Sequence, residues 1–321
     1  MNGSPFSVDV LCLGIACYDL IFSVDRHFGP DEKIRASELT ACGGGIASNA
    51  AMTVARLGSS VAFAGYLGQD MYGDSHVDEL RAAGVNTELV VRGARPTSLS
   101  AILVKPDGTR ALVNYGTWPG RETTLPQDAG QASQELPGAT EFQLECCRPR
   151  AVLVDGYHID AANHLVESAR SQNVPTVLDG DMLHAGTKTL MEKVEFLVVS
   201  EHFAQDYSQQ SDPATALEQL SHFAPSTVIT LGARGLCWRN RADSRFGAGA
   251  GSYPAFAVEV EDTTGAGDAF HGAFAAGLAR GMAWEELLRF ASAVGALCCT
   301  RKGARLGIPT GAEVAAFLDC Q

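Results

Sequence analysis

Short apolar or β-branched runs alternate with stretches of helical periodicity, and this alternation constrains the fold more than any other feature of the chain. The runs are 8–15, 61–66, 151–154, 176–178, 196–199 and 228–231. The stretches with apolar residues at helical spacing are 47–57, 72–83, 161–171, 214–222, 268–280 and 284–300. Strands that alternate with helices form βαβ units, in which helices cover both faces of a mostly parallel sheet. The sequence therefore predicts an α/β fold with a mostly parallel sheet and helices on both of its faces.

Two stretches, 21–40 and 97–115, do not fit this alternation. The second reads as two strands around the turn Pro106-Asp107-Gly108. We interpret both as a small antiparallel β lid. Segment 120–150 has scattered Pro, Gly and Gln and is predicted to be an irregular connection with one short helix. The predicted large α/β domain comprises 1–20, 41–96 and 116–321.

Charge and cysteine content exclude several classes of function. The 321 residues include 24 Lys and Arg against 37 Asp and Glu, a net charge of −13. Such a surface repels phosphate backbones and anionic lipid, so neither nucleic acid nor a membrane is an expected partner. The uncharged stretch 39–55 contains three consecutive glycines and cannot span a bilayer. Nine irregularly spaced cysteines and the absence of a signal-like start predict a cytoplasmic protein.

Residues 262–268, with the sequence Asp-Thr-Thr-Gly-Ala-Gly-Asp, are the most informative segment. They lie where the apolar run 256–260, predicted to be a strand, meets a predicted helix. Backbone N–H groups at such a helix start lack partners and suit a phosphoryl group. Asp268 would then accept a proton from an attacking hydroxyl. From these residues alone, the alternative is that Asp262 and Thr263 only cap the helix and that Asp268 only favours its dipole.

The segment DTTGAGDAFHGAF, 262–274, resembles the C-terminal signature of the ribokinase-like carbohydrate kinases, the PfkB family. Residues 44–49, with the sequence GGIASN, and the block at 64–73 are similar to the N-terminal signature of that family. The segment 230–235 resembles its nucleotide-site turn, and 300–304 resembles its closing segment. The likeness therefore spans nearly the whole chain.

This resemblance implies a Rossmann-like domain with a lid over the sugar, and transfer of the ATP γ-phosphoryl group to a sugar hydroxyl with Mg²⁺ as a cofactor. It makes Asp268 the general base. The implied anion hole consists of Gly265, Ala266 and Gly267. The residues implied to bind ATP are Thr230, Gly232, Gly235, Thr264, Gly265 and Gly267. Asp262 and Thr264 match positions that in many members bind a monovalent cation, which suggests K⁺.

One departure from the family pattern concerns magnesium. Many members carry an Asn-x-x-Glu motif, but the corresponding place here reads Ser200-Glu201-His202-Phe203. Glu201 remains a candidate magnesium contact, with a solvated acid at a helix start as the alternative. Asp181, in the sequence Leu-Asp-Gly-Asp, is a second candidate, although an acidic pair at a strand end is also typical of a turn.

The expected sugar site combines the first strand, the glycine block and the lid. Asp19 stands where family members hold sugar hydroxyls, and a carboxylate accepts from two adjacent hydroxyls. The full set of expected substrate-binding residues is Asp19, Asp31, Lys33, Gly44, Gly45, Asn49, Arg110 and Asn114. For Asp31 and Lys33 in the lid, the alternative is a charged side chain that is only solvated. For Arg110 it is an ion pair at the rim of the site that contributes little to stability.

The substrate expected from these residues is a small ketose phosphorylated on a primary hydroxyl. Asp31 resembles the lid of ketohexokinases, while Lys33 and Asn114 resemble sulfofructose kinases. Tyr157 stands where a sulfofructose kinase is expected to carry a basic residue, so a neutral ketohexose ranks above an acid-tailed one. Ribose follows, and a nucleoside ranks last because Phe22 and Phe28 are the only lid aromatics before the glycine block.

Other readings of the sequence are a Rossmann oxidoreductase, a Walker-type NTPase and a non-catalytic sugar sensor on the kinase fold. A Rossmann oxidoreductase requires a G-x-G-x-x-G motif after the first strand, which residues 14–19 do not supply. A Walker-type NTPase requires a Gly-Lys dipeptide, which the chain lacks. The presence of Asp268, Gly265 and Gly267 argues against a sensor without catalytic activity. His158 and His271 are expected to be packed rather than catalytic. The apolar lid face around 99–103 is a candidate homodimer surface.

Overall fold

The structure is a computed structural model that describes residues 6–116 and 147–321. Most of the predicted irregular connection, and its short helix, lie outside the described residues. Within the part that is described, no helix is both long and apolar enough to cross a membrane.

The strands form one large and one small sheet. In chain order they are β1 (Val8–Leu13), β2 (Cys17–Ser23), β3 (Glu38–Gly44), β4 (Val61–Gly68), β5 (Val90–Gly93), β6 (Leu99–Val104), β7 (Arg110–Tyr115), β8 (Pro149–Val154), β9 (Thr176–Gly180), β10 (Phe196–Ser200), β11 (Ser226–Thr230), β12 (Leu236–Asn240) and β13 (Gly249–Tyr253). The large sheet has the order β13-β12-β11-β10-β9-β8-β1-β4-β5. Its pairs are parallel from β5 to β11, and the last two strands at the other end, β12 and the edge strand β13, pair antiparallel. The predicted mostly parallel sheet is confirmed.

Helices pack on both faces of this sheet. They are α1 (Ile46–Arg56), α2 (Met71–Ala82), α3 (Ile159–Ser171), α4 (Ala185–Leu190), α5 (Glu201–Ser208), α6 (Pro213–Leu220), α7 (Ala266–Arg280), α8 (Trp284–Cys298) and α9 (Gly311–Asp319). Side chains alternate along a strand, so in β1 Val10 belongs to the core on the face covered by α1, α7 and α8, whereas Leu11 belongs to the core on the opposite face, which is covered by helices including α3 and α6. Helices α4, α5 and α9 were not predicted.

The predicted strand at 256–260 is wrong, because no strand forms there. Its apolar side chains instead line a cavity beside the start of α7, and Phe256 packs against Phe317 of α9 with ring centroids 5.2 Å apart. Apolar residues in this segment therefore serve a cavity wall and a contact with α9 and not a sheet.

The small sheet has the order β3-β2-β6-β7. Its outer pairs are antiparallel, as predicted for the lid, but the central pair β2–β6 is parallel. The reason is topological: β2 follows β1 and β6 follows β4 and β5, so both leave the large sheet at the carboxyl ends of parallel strands. The sheet already begins at Cys17 and ends its first hairpin at Gly44, which places Asp19 inside a lid strand.

The strand registers divide the small sheet into two faces of different composition. One face, here called the apolar lid face, includes Tyr18, Leu20, Phe22, Leu39, Ala41, Leu99, Ala101, Leu103, Ala111, Val113 and Tyr115. The other carries the polar groups Asp19, Thr40, Cys42, Ser100, Arg110 and Asn114, together with the apolar Ile21, Ile102, Val104 and Leu112. Arg110 reaches the large domain from this second face, which is therefore the one turned toward the predicted site.

Candidate active site

The glycine-rich loop before α7 is held by Asp262. One carboxylate oxygen of Asp262 accepts from the backbone N–H (2.9 Å) and the hydroxyl (2.7 Å) of Thr264, and the other accepts from the N–H of Gly303 (2.9 Å). Gly265 has φ +76°, and a Cβ there would lie 2.7 Å from Ala304, so the loop needs glycine. The structure thus brings the predicted anion-hole loop and the closing segment together.

The predicted anion hole falls at the first N–H groups of α7. The helix begins at Ala266, so its opening amides have no intrahelical acceptor, although the N–H of Ala266 contacts the carbonyl oxygen of Thr263 at 3.3 Å. A Cβ on Gly267 would meet nothing within 4 Å. Open space therefore lies beside this amide, as a bound phosphoryl group requires.

Asp268 lies one turn into α7 and faces α1. The Nδ2 of Asn49 donates to its Oδ2 at 2.8 Å. The two helices approach closely because Gly272 lies against Ala50: a Cβ on Gly272 would come within 2.6 Å of the Ala50 carbonyl oxygen. Glycine and alanine at the crossing thus set the distance between the amide and the acid.

The surroundings of Asp268 favour its protonated form. Desolvation raises the pKa of this carboxyl, and the negative charges of Asp181, Asp155 and Asp19 raise it further, while the hydrogen bond from Asn49 opposes the shift. A carboxylate whose pKa is raised is a stronger proton acceptor than a free aspartate, and a pKa closer to the working pH is favourable for a general base.

Two buried acids near Asp268 were missed by the sequence analysis. Asp155 follows β8 and accepts backbone N–H groups from Ile15 (2.7 Å), Tyr157 (3.1 Å) and Ala47 (3.2 Å). Burial raises its pKa to about 6, against these hydrogen bonds. Asp155 thus ties the end of β1 to the start of α1. The signal available in the sequence was an acid directly after an apolar strand.

The second missed acid, Asp179 at the end of β9, contacts His271. Its Oδ2 lies 3.2 Å from the Nδ1 of His271, whose two ring nitrogens also lie 2.8 Å and 3.0 Å from the carbonyl oxygens of Gly267 and Val198. Desolvation lowers the pKa of His271. The histidine is buried and hydrogen-bonded inside the fold, in agreement with its expected packing role. His158 is also buried, at the start of α3.

A cavity of about 550 Å³ opens on the other side of the α7 start. Its walls include four of the six residues predicted to bind ATP, namely Thr230, Gly232, Gly235 and Gly267. The predicted Thr264 and Gly265 do not line it, but their neighbours Thr263 and Ala266 do. Sequence reasoning missed the remaining walls, which are segment 255–260 and the α8 side of the cavity, namely Ser292, Gly295, Ala296 and Cys299. A mostly apolar cavity of this size suits a nucleotide base and ribose.

Asp19, in lid strand β2, lies against the glycine block. The Asp19 carboxylate is buried against Gly44, where a Cβ would come within 2.2 Å of its Oδ2. Burial raises the pKa of Asp19, while hydrogen bonds from Cys17 and Ser100 and the charge of Arg305 oppose the rise. Gly44 is therefore needed to admit the carboxylate to the polar face of the small sheet.

The remaining lid residues differ in what the structure places around them. The Nη1 of Arg110 donates to the Oγ1 of Thr264 at 2.7 Å, so this arginine reaches the anion-hole loop. Asp31 and Lys33 are exposed in the loop between β2 and β3, and Asn114 is exposed on β7. The structure shows Arg110, but not these three, in contact with the predicted catalytic loop.

The two candidate magnesium contacts, Glu201 and Asp181, have different surroundings. Glu201 starts α5, forms an ion pair with Arg234 and accepts from Gln205 at 3.1 Å, so part of its coordinating capacity is already used. Asp181 is exposed, and its charge reaches both Asp179 and Asp268. No cluster of three potential metal ligands occurs among the described residues. A Mg²⁺ ion bound to the phosphates of ATP would need only one or two carboxylates from the protein.

The arrangement of an anion hole, an adjacent acid, a nucleotide-sized cavity and a polar lid agrees with comparison to known proteins. The family model for pfkB family carbohydrate kinases matches residues 8–311. The chain belongs to this family. The family resemblance of the two signature blocks is thereby confirmed, and the protein is an ATP-dependent carbohydrate kinase.

Individual relatives cover most of the chain. Ribokinase of Bacillus subtilis is 26% identical over 97% of this chain and 99% of its own. Fructokinase-2 of Zea mays is 30% identical over 83% of this chain and 82% of its own. The solved structure of a putative ribokinase from Agrobacterium tumefaciens has a TM-score of 0.85 at 26% identity and covers 98% of both chains. The PfkB kinase chain thus resembles enzymes named for two different sugars.

Proposed function

We propose that this kinase transfers the γ-phosphoryl group of ATP to a primary hydroxyl of a ketohexose. The observation that carries the proposal is the placement of Asn49, which donates to Asp268 at 2.8 Å and belongs to the helix that starts from the Gly44-Gly45 block packed on Asp19. A sugar held by Asp19 therefore lies within the same enclosure as the acid. The nucleotide cavity lies across Gly267 from it.

The chemistry follows from this placement. Asp268 takes the proton from the sugar hydroxyl as that oxygen attacks phosphorus, and the bond from phosphorus to the β,γ-bridging oxygen breaks to leave ADP. The amides at the start of α7 stabilise the negative charge of the transferring group. Arg110 donates to Thr264 in the same loop and supplies a further positive charge there. Mg²⁺, when bound, neutralises charge on the phosphates.

The polarity of the lid favours a sugar over a nucleoside. Its polar face presents hydrogen-bonding groups, while the strand aromatics Phe22 and Tyr115 belong to the apolar lid face. A nucleobase would therefore lack a stacking partner from the lid strands. Tyr157, which stacks on His184 at 4.6 Å between ring centroids, supplies no charge for an acidic tail. These features rank a neutral ketohexose ahead of an acid-tailed ketose, ribose and a nucleoside.

A substrate panel tests this ranking. Initial rates of ADP formation are measured with fructose and other ketohexoses, a sulfonated and a phosphorylated ketose, ribose and adenosine. We expect the highest kcat/KM for a neutral ketohexose, because a buried polar site rejects analogues that leave its groups unpaired. A value for ribose or adenosine tenfold above that of every ketohexose overturns the ranking. No sugar-stimulated turnover of ATP at all would favour the sugar-sensor reading instead.

We also propose a monovalent cation beside the loop of Asp262 and Thr264. Burial opposes ionisation of Asp262, but hydrogen bonds from Thr264 and Gly303 prevail and lower its pKa, so a negative charge stands beside the anion-hole loop. A K⁺ ion there would hold the loop amides in register. We expect a higher rate in K⁺ than in tetramethylammonium at equal ionic strength. Equal rates in the two salts would remove this proposal.

A homodimer through the apolar lid face is a further proposal. The face is continuous across all four strands, and it leaves Leu39 57%, Val113 70% and Tyr115 60% exposed. A second copy of the same sheet offers a matching apolar surface, which a charge at its centre would disrupt. The apolar lid face extends well beyond residues 99–103, the region that the sequence suggested as a dimer surface.

Light scattering after size-exclusion chromatography tests the dimer. We expect a dimer for the unmodified kinase and a monomer for Val113→Lys, because a buried lysine would be unpaired in the interface. Leu112→Lys is the matched control: this neighbour is 52% exposed but points to the other face, so the variant should remain dimeric. A monomeric unmodified protein contradicts the proposal.

A further inference from the structure

Arg305 is the only lysine or arginine that is buried within the described part of the chain, with 7% of its surface exposed. Its Nη1 donates to Glu79 Oε2 at 2.8 Å and its Nε to Asn49 Oδ1 at 3.1 Å. Its Nη2 lies 3.3 Å from Ser48 Oγ and 2.5 Å from the Nε2 of His76. Four side chains from α1 and α2 thus surround one guanidinium group.

Each of these neighbours can accept a hydrogen bond from Arg305. Burial, followed by the charge of Arg305, lowers the pKa of His76 far below its usual range, so its ring is neutral and Nε2 can accept. Glu79 supplies the compensating negative charge at 2.8 Å. A buried charge is tolerated only with such pairing, and five N–H groups in a rigid fork leave few alternative orientations.

The contact with Asn49 determines which way that amide points. A guanidinium N–H can only donate, so the Asn49 atom that faces Arg305 must be the oxygen. The amide nitrogen is then the atom that faces Asp268, at 2.8 Å. With the amide reversed, its oxygen would face a carboxylate, and two acceptors would oppose each other.

The same guanidinium is tied to the lid. Glu79 Oε2, which accepts from Arg305, also accepts the backbone N–H of Gly43 at 2.8 Å. Gly43 belongs to lid strand β3, and a Cβ there would come within 2.1 Å of the Arg305 Nη1. An unbroken set of hydrogen bonds therefore runs from the lid strand through Glu79, Arg305 and Asn49 to Asp268.

We propose that Arg305 is a positioning residue for phosphoryl transfer. It fixes the Asn49 amide so that the nitrogen donates to Asp268 and the carboxylate faces the sugar hydroxyl. This inference rests on the proposed role of Asp268 as the base. Neither a sequence motif nor spacing indicates it, because Arg305 lies 256 positions from Asn49 in the chain.

The first test compares Arg305→Met with Arg305→Lys. Loss of one oriented hydrogen bond in the transition state corresponds to roughly a 10- to 100-fold lower kcat. We expect this loss in both variants, because a lysine ammonium replaces the charge but lacks the planar fork that spans Glu79 and Asn49. The KM for ATP should change little, since Arg305 does not line the nucleotide cavity.

Arg280→Met is the matched control. Arg280 is likewise fixed by hydrogen bonds, to the Leu57 carbonyl oxygen at 2.7 Å and to Ser59, but it lies at the far end of α7. Its removal should lower the melting temperature without a selective loss of kcat. If Arg305→Met fails to fold, Arg305→Lys carries the same test. Full kcat in a folded Arg305 variant overturns the proposal.

A double-mutant cycle with Asn49→Ala separates positioning from general destabilisation. If Arg305 acts through Asn49, adding Arg305→Lys to Asn49→Ala should lower kcat by less than threefold more. Fully multiplicative losses would contradict the proposal. Asp268→Asn is measured in parallel. An inactive Asp268→Asn beside a fully active Arg305→Lys refutes the positioning role alone, whereas an active Asp268→Asn refutes the base on which it rests.

Discussion

Asp268→Asn should lower kcat by roughly 10²- to 10⁴-fold, with little change in the KM for ATP. The asparagine keeps the size of the side chain, and its Oδ1 can still accept from the Asn49 amide that lies 2.8 Å from Asp268. It cannot take a proton from the sugar hydroxyl. The nucleotide cavity is unaffected because its walls, among them Thr230 and Gly235, are separate residues. Steady-state rates with saturating sugar and ATP measure the effect.

Stability and pH dependence provide the controls for this substitution. The folded-state pKa of Asp268 is raised above that of a free aspartate, so its contribution to stability is greatest at low pH and is lost as the pH rises through the folded pKa. Asp268→Asn should therefore melt at the same or a higher temperature at neutral pH while losing activity.

The pH profile and a surface variant complete the comparison. In the unmodified kinase, kcat should fall as the pH drops through the raised pKa of Asp268, and this acidic limb should be absent from the residual rate of the variant. Asp243→Asn, at an exposed acid paired with Arg241, should leave kcat unchanged. If Asp268→Asn retains a tenth or more of the normal kcat, Asp268 is not the general base.

The fold could be predicted from the sequence wherever one local pattern determines burial. Strands such as β1 and β10 are covered on both faces, so they read as continuous apolar runs between helices. The edge strand β13 has the sequence GAGSY and gives no such signal. In the structure the Trp238 ring packs against Gly249 and Gly251, and an added Cβ at either glycine would lie 3.1 to 3.2 Å from the indole. This packing involves another strand, so the sequence of β13 alone does not indicate it.

The site was predictable where its geometry is local and not where it depends on distant partners. The loop before α7 is a single sequence segment, and Asp262 and Thr264 hydrogen-bond within it. By contrast, the hydrogen bond from Asn49 to Asp268 spans 219 positions, and the contact between Ile15 and Asp155 spans 140. The residues around Asp155 in the sequence do not indicate which backbone N–H groups will donate to its carboxylate. Such pairs become visible only when the sheet order is known.

Asp19→Ala should lower kcat/KM for the sugar by roughly 10²- to 10³-fold. Hydrogen bonds to a charged group contribute about 1.5–3 kcal/mol each, so two hydroxyl contacts correspond to about 3–6 kcal/mol, and the expected loss lies in the lower half of that range because water replaces the carboxylate in the vacated space. The side chain is buried on the polar lid face beside Gly44. Burial raises the pKa of its carboxyl, whereas hydrogen bonds from Cys17 and Ser100 and the positive charge of Arg305 limit this rise. Its carboxylate is therefore positioned to accept from the sugar.

Asp25→Ala is the matched control for this variant, because Asp25 is an exposed acid in the loop that follows the same strand. It should leave kcat/KM unchanged. Asp19→Asn should recover part of the loss, since an amide oxygen still accepts one hydroxyl without the charge. Because Asp19 lies in a lid strand and not in the nucleotide cavity, the KM for ATP should stay constant in all three variants. An equal loss of affinity for ATP and sugar would mean that Asp19 supports the fold of the lid rather than the sugar itself.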